Sequence, residues 1–218
     1  ALVVSNSTTN ITLLTFDCIG LLYPQLQEIR SRIKSELPLI DPEHIVMSST
    51  HTHSGPDVVG IRGKDLAHSG VNDKHMQFIV DRAVEAIKEA YNAKKPVTIS
   101  YGNGSFGEDW VKNISEPGEL DRAVSVIKFS DLNGKNIATL TNFACHPTIM
   151  DDTSTAASSD YVWGYYTYLD AAQGGVNMFL QGAIGGWVQP EGVPHTYEQA
   201  KQYGTSLGKY VFELSPIK

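Results

Sequence analysis

Short apolar runs alternate with amphipathic helical stretches along this chain, and histidines stand directly after two of those runs. That order constrains the fold more than any other feature. Segments Ala1–Ser5 and Ile11–Cys18 read as strands joined by the turn Asn6-Ser7-Thr8-Thr9-Asn10. Over residues 22–36, Leu22, Leu26, Ile29 and Ile33 recur at helical spacing. A buried strand is expected over His44–Ser48, after the break at Asp41-Pro42. A long helix follows, with Asp73 as its expected N-cap and Met76, Ile79, Val80, Ala83 and Ile87 on one face. Beyond Pro96, strands are predicted over Val97–Tyr101, Ala123–Phe129 and Asn136–Ala144. The last two flank Asn133-Gly134, a dipeptide suited to a tight antiparallel hairpin. Asp160 can cap a helix to about Asp170, Val176–Leu180 is another short strand, and Thr196-x-x-Gln199 is a capping box for a last helix to about Glu213.

The sum is an α/β chain: a mixed β-sheet with helices on its faces and one antiparallel hairpin around Asn133-Gly134. No repeat, low-complexity tract or linker divides it, so residues 1–218 read as one domain. The polar clusters follow strands: Asp17, then His51 and His53, then His146, then Gln181-Gly182. Open α/β sheets bind ligands at the carboxyl ends of their strands, so these segments are expected at one rim.

Composition excludes some partners. Net charge is −7 with no run of Lys or Arg, so the phosphate-neutralising term of nucleic-acid binding is missing. No stretch approaches the ~20 apolar residues of a membrane span. The opening Ala1-Leu2-Val3-Val4-Ser5 lacks the pattern of a signal peptide, so an export signal is not expected within this sequence. Cys18 and Cys145 end apolar runs and read as buried free thiols, with a single disulfide between them as the alternative that sequence does not decide. Sequons at Asn6, Asn10, Asn103 and Asn113 are candidate glycosylation sites and favour an extracellular or cell-surface protein.

Three histidines carry the chemistry. In an extended Ser49-Thr50-His51-Thr52-His53, side chains two apart point the same way. His51 and His53 can then share a cation, or one can bind it while the other serves as a neighbouring acid/base group. His146 stands where an apolar strand ends, followed by Pro147. The three together look like a zinc set, which would make water a nucleophile at neutral pH. Asp160 is either a helix cap or a group that orients a ligand or touches substrate. Asp17 either solvates a turn or stands beside the metal. The segment Gln181-Gly182-Ala183-Ile184-Gly185-Gly186-Trp187 lacks the Walker and Rossmann spacings. Its backbone either donates to a developing oxyanion or merely packs tightly.

Read in order, Ser49-Thr50-His51-Thr52-His53-Ser54-Gly55-Pro56, Asn142-Phe143-Ala144-Cys145-His146-Pro147 and Phe179-Leu180-Gln181-Gly182-Ala183-x-Gly185 resemble the catalytic domain of the neutral/alkaline non-lysosomal ceramidase family. Phe16-Asp17-Cys18-Ile19-Gly20 and Ser159-Asp160-Tyr161 also look like segments of it. The resemblance implies a Zn2+ amidase acting on the N-acyl bond of ceramide or a related small amphiphile, with contact to a membrane surface. It implies that His51 and His146 bind zinc, that His53 handles protons with Asp160 near the chemistry, and that Asp17, Gln181 and Gly182 lie beside metal or substrate. Two departures accompany it. Ile114 stands where the family's Asn-Arg-Ser has Arg, and Gly185-Gly186-Trp187-Val188-Gln189-Pro190 lacks the Asp and Ser of Gly-Asp-x-Ser-Pro. The family's further ligands, a Glu and a Tyr, come from later sequence. The chain therefore reads as a divergent or shortened member whose site is completed by another segment or a second chain, or as a ceramidase-like module without catalysis.

Overall fold

A computed structural model describes residues 1–65, 67–150 and 154–214. They divide into two compact units, Ala1–Ser49 with Pro56–Lys95, and Thr50–Gly55 with Pro96–Lys218.

The first unit holds β1 (Leu2–Ser5), β2 (Asn10–Phe16), α1 (Tyr23–Glu36), a 3-10 turn at Pro42–His44, β3 (Ile45–Ser49) and α2 (Asp73–Asn92). β1 pairs antiparallel with β2, and β2 parallel with β3. Ile29 and Ile33, four apart on α1, bury against Leu14, Ile45, Val80, Val84 and Ile87. Burial of such side chains at 1.5–3 kcal/mol each is what fixes the helices to the sheet. Asn72, not Asp73, caps α2: it keeps an extended backbone and its side chain accepts from the His75 N–H. Asp73 is instead the first helical residue, where its charge still favours the helix N-terminus.

The second unit holds β4 (Thr98–Ser105), β5 (Val111–Asn113), β6 (Ala123–Ser130), β7 (Asn136–Phe143), α3 (Tyr161–Ala172), β8 (Val176–Gln181), β9 (Val188–Pro190) and α4 (Tyr197–Glu213). Its main sheet runs β4-β6-β7-β8, antiparallel except for the parallel pair β7/β8. A separate pair, β5/β9, is antiparallel. The α/β class thus stands, with the strands among the described residues distributed over three sheets. The hairpin at Asn133-Gly134 joins β6 to β7, and its turn differs from the expected form. Only Gly134 takes a left-handed backbone (φ +84°), while the Asp131 carboxylate accepts from the Asn133 and Lys135 N–H groups.

Phe143, Tyr161, Tyr165, Leu169, Phe179 and Leu207 form the core of this unit. The buried Tyr165 hydroxyl donates to Thr141 Oγ1 at 2.8 Å, so the aromatic residues of α3 are chiefly core. Both cysteines are buried and free. Among the described residues, no helix is long and apolar enough to cross a membrane.

Helices α3 and α4 approach backbone to backbone at Gly164 and Gly204. A Cβ on Gly204 would overlap the Tyr161 carbonyl oxygen, and one on Gly164 would come within 2.5 Å of the Lys201 carbonyl oxygen. Overpacking of this kind costs typically about 1–3 kcal/mol. Gly204→Ala should therefore lose stability in urea unfolding by about that amount, despite the better helix propensity of Ala. Gly118→Ala, which meets nothing within 4 Å, should change it by less than about 0.5 kcal/mol. Equal stability of the two variants would contradict this packing.

Candidate metal centre

Parallel pairing brings the ends of β7 and β8 side by side, with Phe143 opposite Gln181. The chain after β7 delivers His146, and the segment Thr50–Gly55 lies against the same region of the second unit. That segment has no regular secondary structure, so its backbone finds partners one by one. Thr50 O accepts from Gln181 Nε2 at 2.9 Å, and Thr52 Oγ1 donates to Ser158 O at 2.8 Å. His53 N–H donates to Pro147 O, and Ser54 O accepts from Ser158 N–H. Thr50 and Thr52 are buried. His51 takes a left-handed backbone, φ +67°, a conformation costly for a residue other than glycine. The segment is thus not the extended one on which the two-residue spacing argument rested. The rings converge all the same.

Ring nitrogens of His51, His53 and His146 lie within 4.8 Å of one another. Ring centroids are 5.0 Å apart for His51 and His146, 5.1 Å for His51 and His53, and 5.6 Å for His53 and His146. His146 is buried, and its Nδ1 lies 2.7 Å from Val188 O. A carbonyl can only accept, so Nδ1 carries the proton and Nε2 keeps its lone pair for a cation. Burial pushes the pKa of His146 down, aided by the nearby His51, while the Val188 hydrogen bond opposes the shift. A neutral imidazole with a fixed tautomer is the form a metal needs. The donor set therefore fits a divalent cation such as zinc. Cys145 is not among the grouped ligand atoms; burial and then the Asp160 charge push its thiol well above the ordinary range in the metal-free protein.

Trp187 packs on His146 with ring centroids 5.3 Å apart and 31° between planes, and stands edge-on to His53 at 6.5 Å. With His53, Thr148, Gln189, Glu191 and His195 it lines a cleft of about 610 Å³. Nothing in the sequence pattern marked Trp187 for this place. Its left-handed backbone, φ +60°, is a three-dimensional feature that sequence alone does not display.

The remaining predicted site residues are placed differently. Asp160 is a buried helix cap: one oxygen accepts from Tyr161 N–H at 2.6 Å and the other from Met150 N–H at 2.7 Å. Burial raises its pKa, and the backbone donors partly offset the rise. Gly182 N–H donates to Phe143 O, which fits the tight-packing alternative. A Cβ there would sit 2.9 Å from Ala144. Asp17 follows β2 in the first unit, where neighbouring Phe16 is paired with Ser49. Gln181 is half-buried and bonded to backbone on two segments. Of the sequons, Asn6 and Asn103 are exposed, and Asn10 donates to Leu39 O. Asn113 is buried, and the amide nitrogen a glycan would need donates to Glu119 O at 2.6 Å. In the fold it is a structural residue.

These features define an α/β protein that carries a candidate His-based metal site. Comparison supplies the family. Residues 1–173 match the family described as neutral/alkaline non-lysosomal ceramidase, N-terminal, and the chain belongs to it. It is 26% identical over 164 residues to the neutral ceramidase of Pseudomonas aeruginosa, which covers 69% of this chain and 24% of that protein. It is 27% identical over 168 residues to neutral ceramidase A of Dictyostelium discoideum, covering 66% and 23%. Among solved structures, a ceramidase complexed with C2 superposes with a TM-score of 0.82 at 20% identity, over 97% of this chain and 37% of that one. The crystal structure of the Pseudomonas aeruginosa neutral ceramidase gives 0.79 at 21%, over 95% and 37%. At these identities the superpositions show the fold. The chain spans about a quarter of the length of these two curated relatives.

The depressed pKa of His146 predicts how the site responds to acid. Its neutral form favours the fold above the unfolded value of ~6.5, and that contribution is lost as pH falls through the lower folded value. The His146 ring resonance should titrate below pH ~6.5 in the metal-free protein. A midpoint at or above that value would contradict the burial argument.

Proposed function

We propose that this chain is a zinc-dependent amidohydrolase of the ceramidase type, cleaving the amide bond of an N-acyl lipid or a related N-acyl compound. The observation that carries this reading is the meeting of imidazoles from residues 51, 53 and 146, remote in sequence, beside an open cleft. Family membership adds support, since the curated relatives it resembles are named neutral ceramidases.

His51 and His146 are assigned as the ligands. His146 has its tautomer set by Val188, and His51 is held in an unfavourable left-handed backbone conformation. A divalent cation held there would acidify water to near neutrality and polarise an acyl carbonyl. His53 lines the cleft, so it is assigned the proton that must reach the departing amine nitrogen. The amide C–N bond breaks as water's oxygen joins the acyl carbon. One water proton stays with the carboxylic acid or its medium, and the other goes to nitrogen by way of His53. Trp187 forms a wall of the cleft and shields one face of His146.

A second reading, a ceramidase-like module without catalysis, draws on that same tryptophan. The segment Gly185–Pro190 places its ring against His146 and His53 and carries neither Asp nor Ser. Metal analysis and turnover of an N-acyl substrate panel separate the two. His51→Ala and His146→Ala should lose bound zinc and all metal-dependent hydrolysis. His53→Ala should keep zinc and lose turnover by roughly 10²–10⁴-fold. Stoichiometric zinc in the wild type with no hydrolysis of any N-acyl compound would favour the module. Retained zinc in His51→Ala would remove the ligand assignment.

Removing the cation should abolish hydrolysis, and adding zinc back should restore it; activity that survives full chelation would defeat the metal mechanism.

A further inference from the structure

Two segments that carry ligand histidines are joined by one side chain. Gln181 closes β8, and its amide makes four hydrogen bonds to backbone groups. Nε2 donates to Thr50 O and to Cys145 O, each at 2.9 Å. Oε1 accepts from Cys145 N–H at 3.1 Å and from Gly182 N–H at 3.2 Å. Two carbonyls on one side and two N–H groups on the other allow only one orientation of the amide. Both donor hydrogens and both acceptor positions are used, so the group is fully satisfied and has no freedom to turn.

The residues it grips are Thr50 and Cys145, the immediate predecessors of His51 and His146. Those partners lie 131 and 36 residues away in sequence from Gln181. We propose that Gln181 is a positioning residue of the metal centre, a clamp that fixes the spacing between the His51 and His146 rings without touching the cation. This rests on the metal-hydrolase reading above. The demand for such a clamp is visible locally. Segment Thr50–Gly55 belongs to no strand or helix, and His51 is held at φ +67°, from which it would relax if its predecessor were released. Cys145 O accepts a further bond from the Tyr161 hydroxyl at 2.6 Å, which ties the clamp to the buried start of α3. Hence the β8 end, the β7 exit and the histidine loop share one hydrogen-bonded junction.

No side chain of another type reproduces this pattern. Methionine fills a similar volume and offers no amide. It would leave Thr50 O and the Cys145 N–H group without those partners. Glutamate keeps the shape and, when ionised, can only accept, so it would face Thr50 O and Cys145 O with negative charge.

The test is cobalt and zinc affinity of Gln181→Met and Gln181→Glu, measured beside Tyr165→Phe. Tyr165 bonds Thr141 and the Met178 carbonyl in the same core and does not bond either histidine segment, so it controls for general loss of stability. Groups that orient ligands typically cost 10–100-fold in metal affinity when replaced. Both Gln181 variants should weaken binding by at least about 10-fold and alter the visible cobalt spectrum, while Tyr165→Phe binds like the wild type. Affinity unchanged in the Gln181 variants, or an equal loss in Tyr165→Phe, overturns the clamp.

Should either variant fail to fold, the unsubstituted protein still decides. The Gln181 side-chain NH2 resonances should exchange slowly in the metal-free protein; rapid exchange contradicts the clamp. Failure of the wild type to bind any metal would defeat the hydrolase reading instead. In that event the ring resonances of His51 and His146 in the metal-free variants still report on the clamp, because both should shift together. A shift in neither ring overturns it.

Discussion

Backbone polar groups cannot be buried without partners, and that requirement shapes the candidate site more than any other. The Thr50–Gly55 segment leaves β3 and never rejoins a strand or helix, yet two of its threonines are buried. Thr50 O is met by Gln181, His53 N–H by Pro147 O, Ser54 N–H by Thr52 Oγ1 and Ser54 O by Ser158 N–H. Each bond adds only about 0.5–1.5 kcal/mol net, but leaving a buried group unpaired costs about 1–3. These four bonds restrict the arrangements open to the histidine loop. The bonds made by Thr50, Thr52 and Ser54 help to carry His51 and His53 into place.

The same logic orients His146. Val188, the first residue of the short strand β9, receives the backbone N–H of residue 146 and the ring Nδ1–H on one carbonyl. A three-residue strand paired to β5 therefore sets the tautomer of a candidate ligand. Trp187 precedes it and is pinned in a left-handed conformation, which turns its ring onto the imidazole. Core packing, β9 and the glycine-rich segment before it act as one support. Gly182 and Gly186 serve that support by permitting close approach, to Ala144 and to Asn113.

Periodicity made the longer elements legible. Helices α1, α2 and α4, the central strands and the hairpin all follow from apolar spacing and turn residues, because burial of a repeated face selects one period. β5 and β9 escaped notice, since three residues carry no measurable period. The single mixed sheet expected from strand order became three, as strand pairing is decided by register and not by sequence order. At the site, residue type and position after a strand marked His51, His53 and His146 correctly as a group, although the extended-strand argument for the first two did not hold. Asp160 illustrates the limit: a carboxylate before a helix does not show in sequence which N–H groups it will meet, and its second donor, Met150 N–H, lies ten residues away. The Val188 carbonyl was invisible for a different reason. Every residue has one, so sequence gives no sign of which carbonyl will face a ring.

The central claim is that nitrogens from two distant loops meet on one cation, and X-ray absorption at the zinc edge of the loaded protein tests it most directly. The account predicts imidazole scattering from at least two nitrogens at ~2.0–2.1 Å in the wild type, and no imidazole-bound zinc in either His51→Ala or His146→Ala. A shell of oxygen alone, or one unchanged by both substitutions, would contradict it.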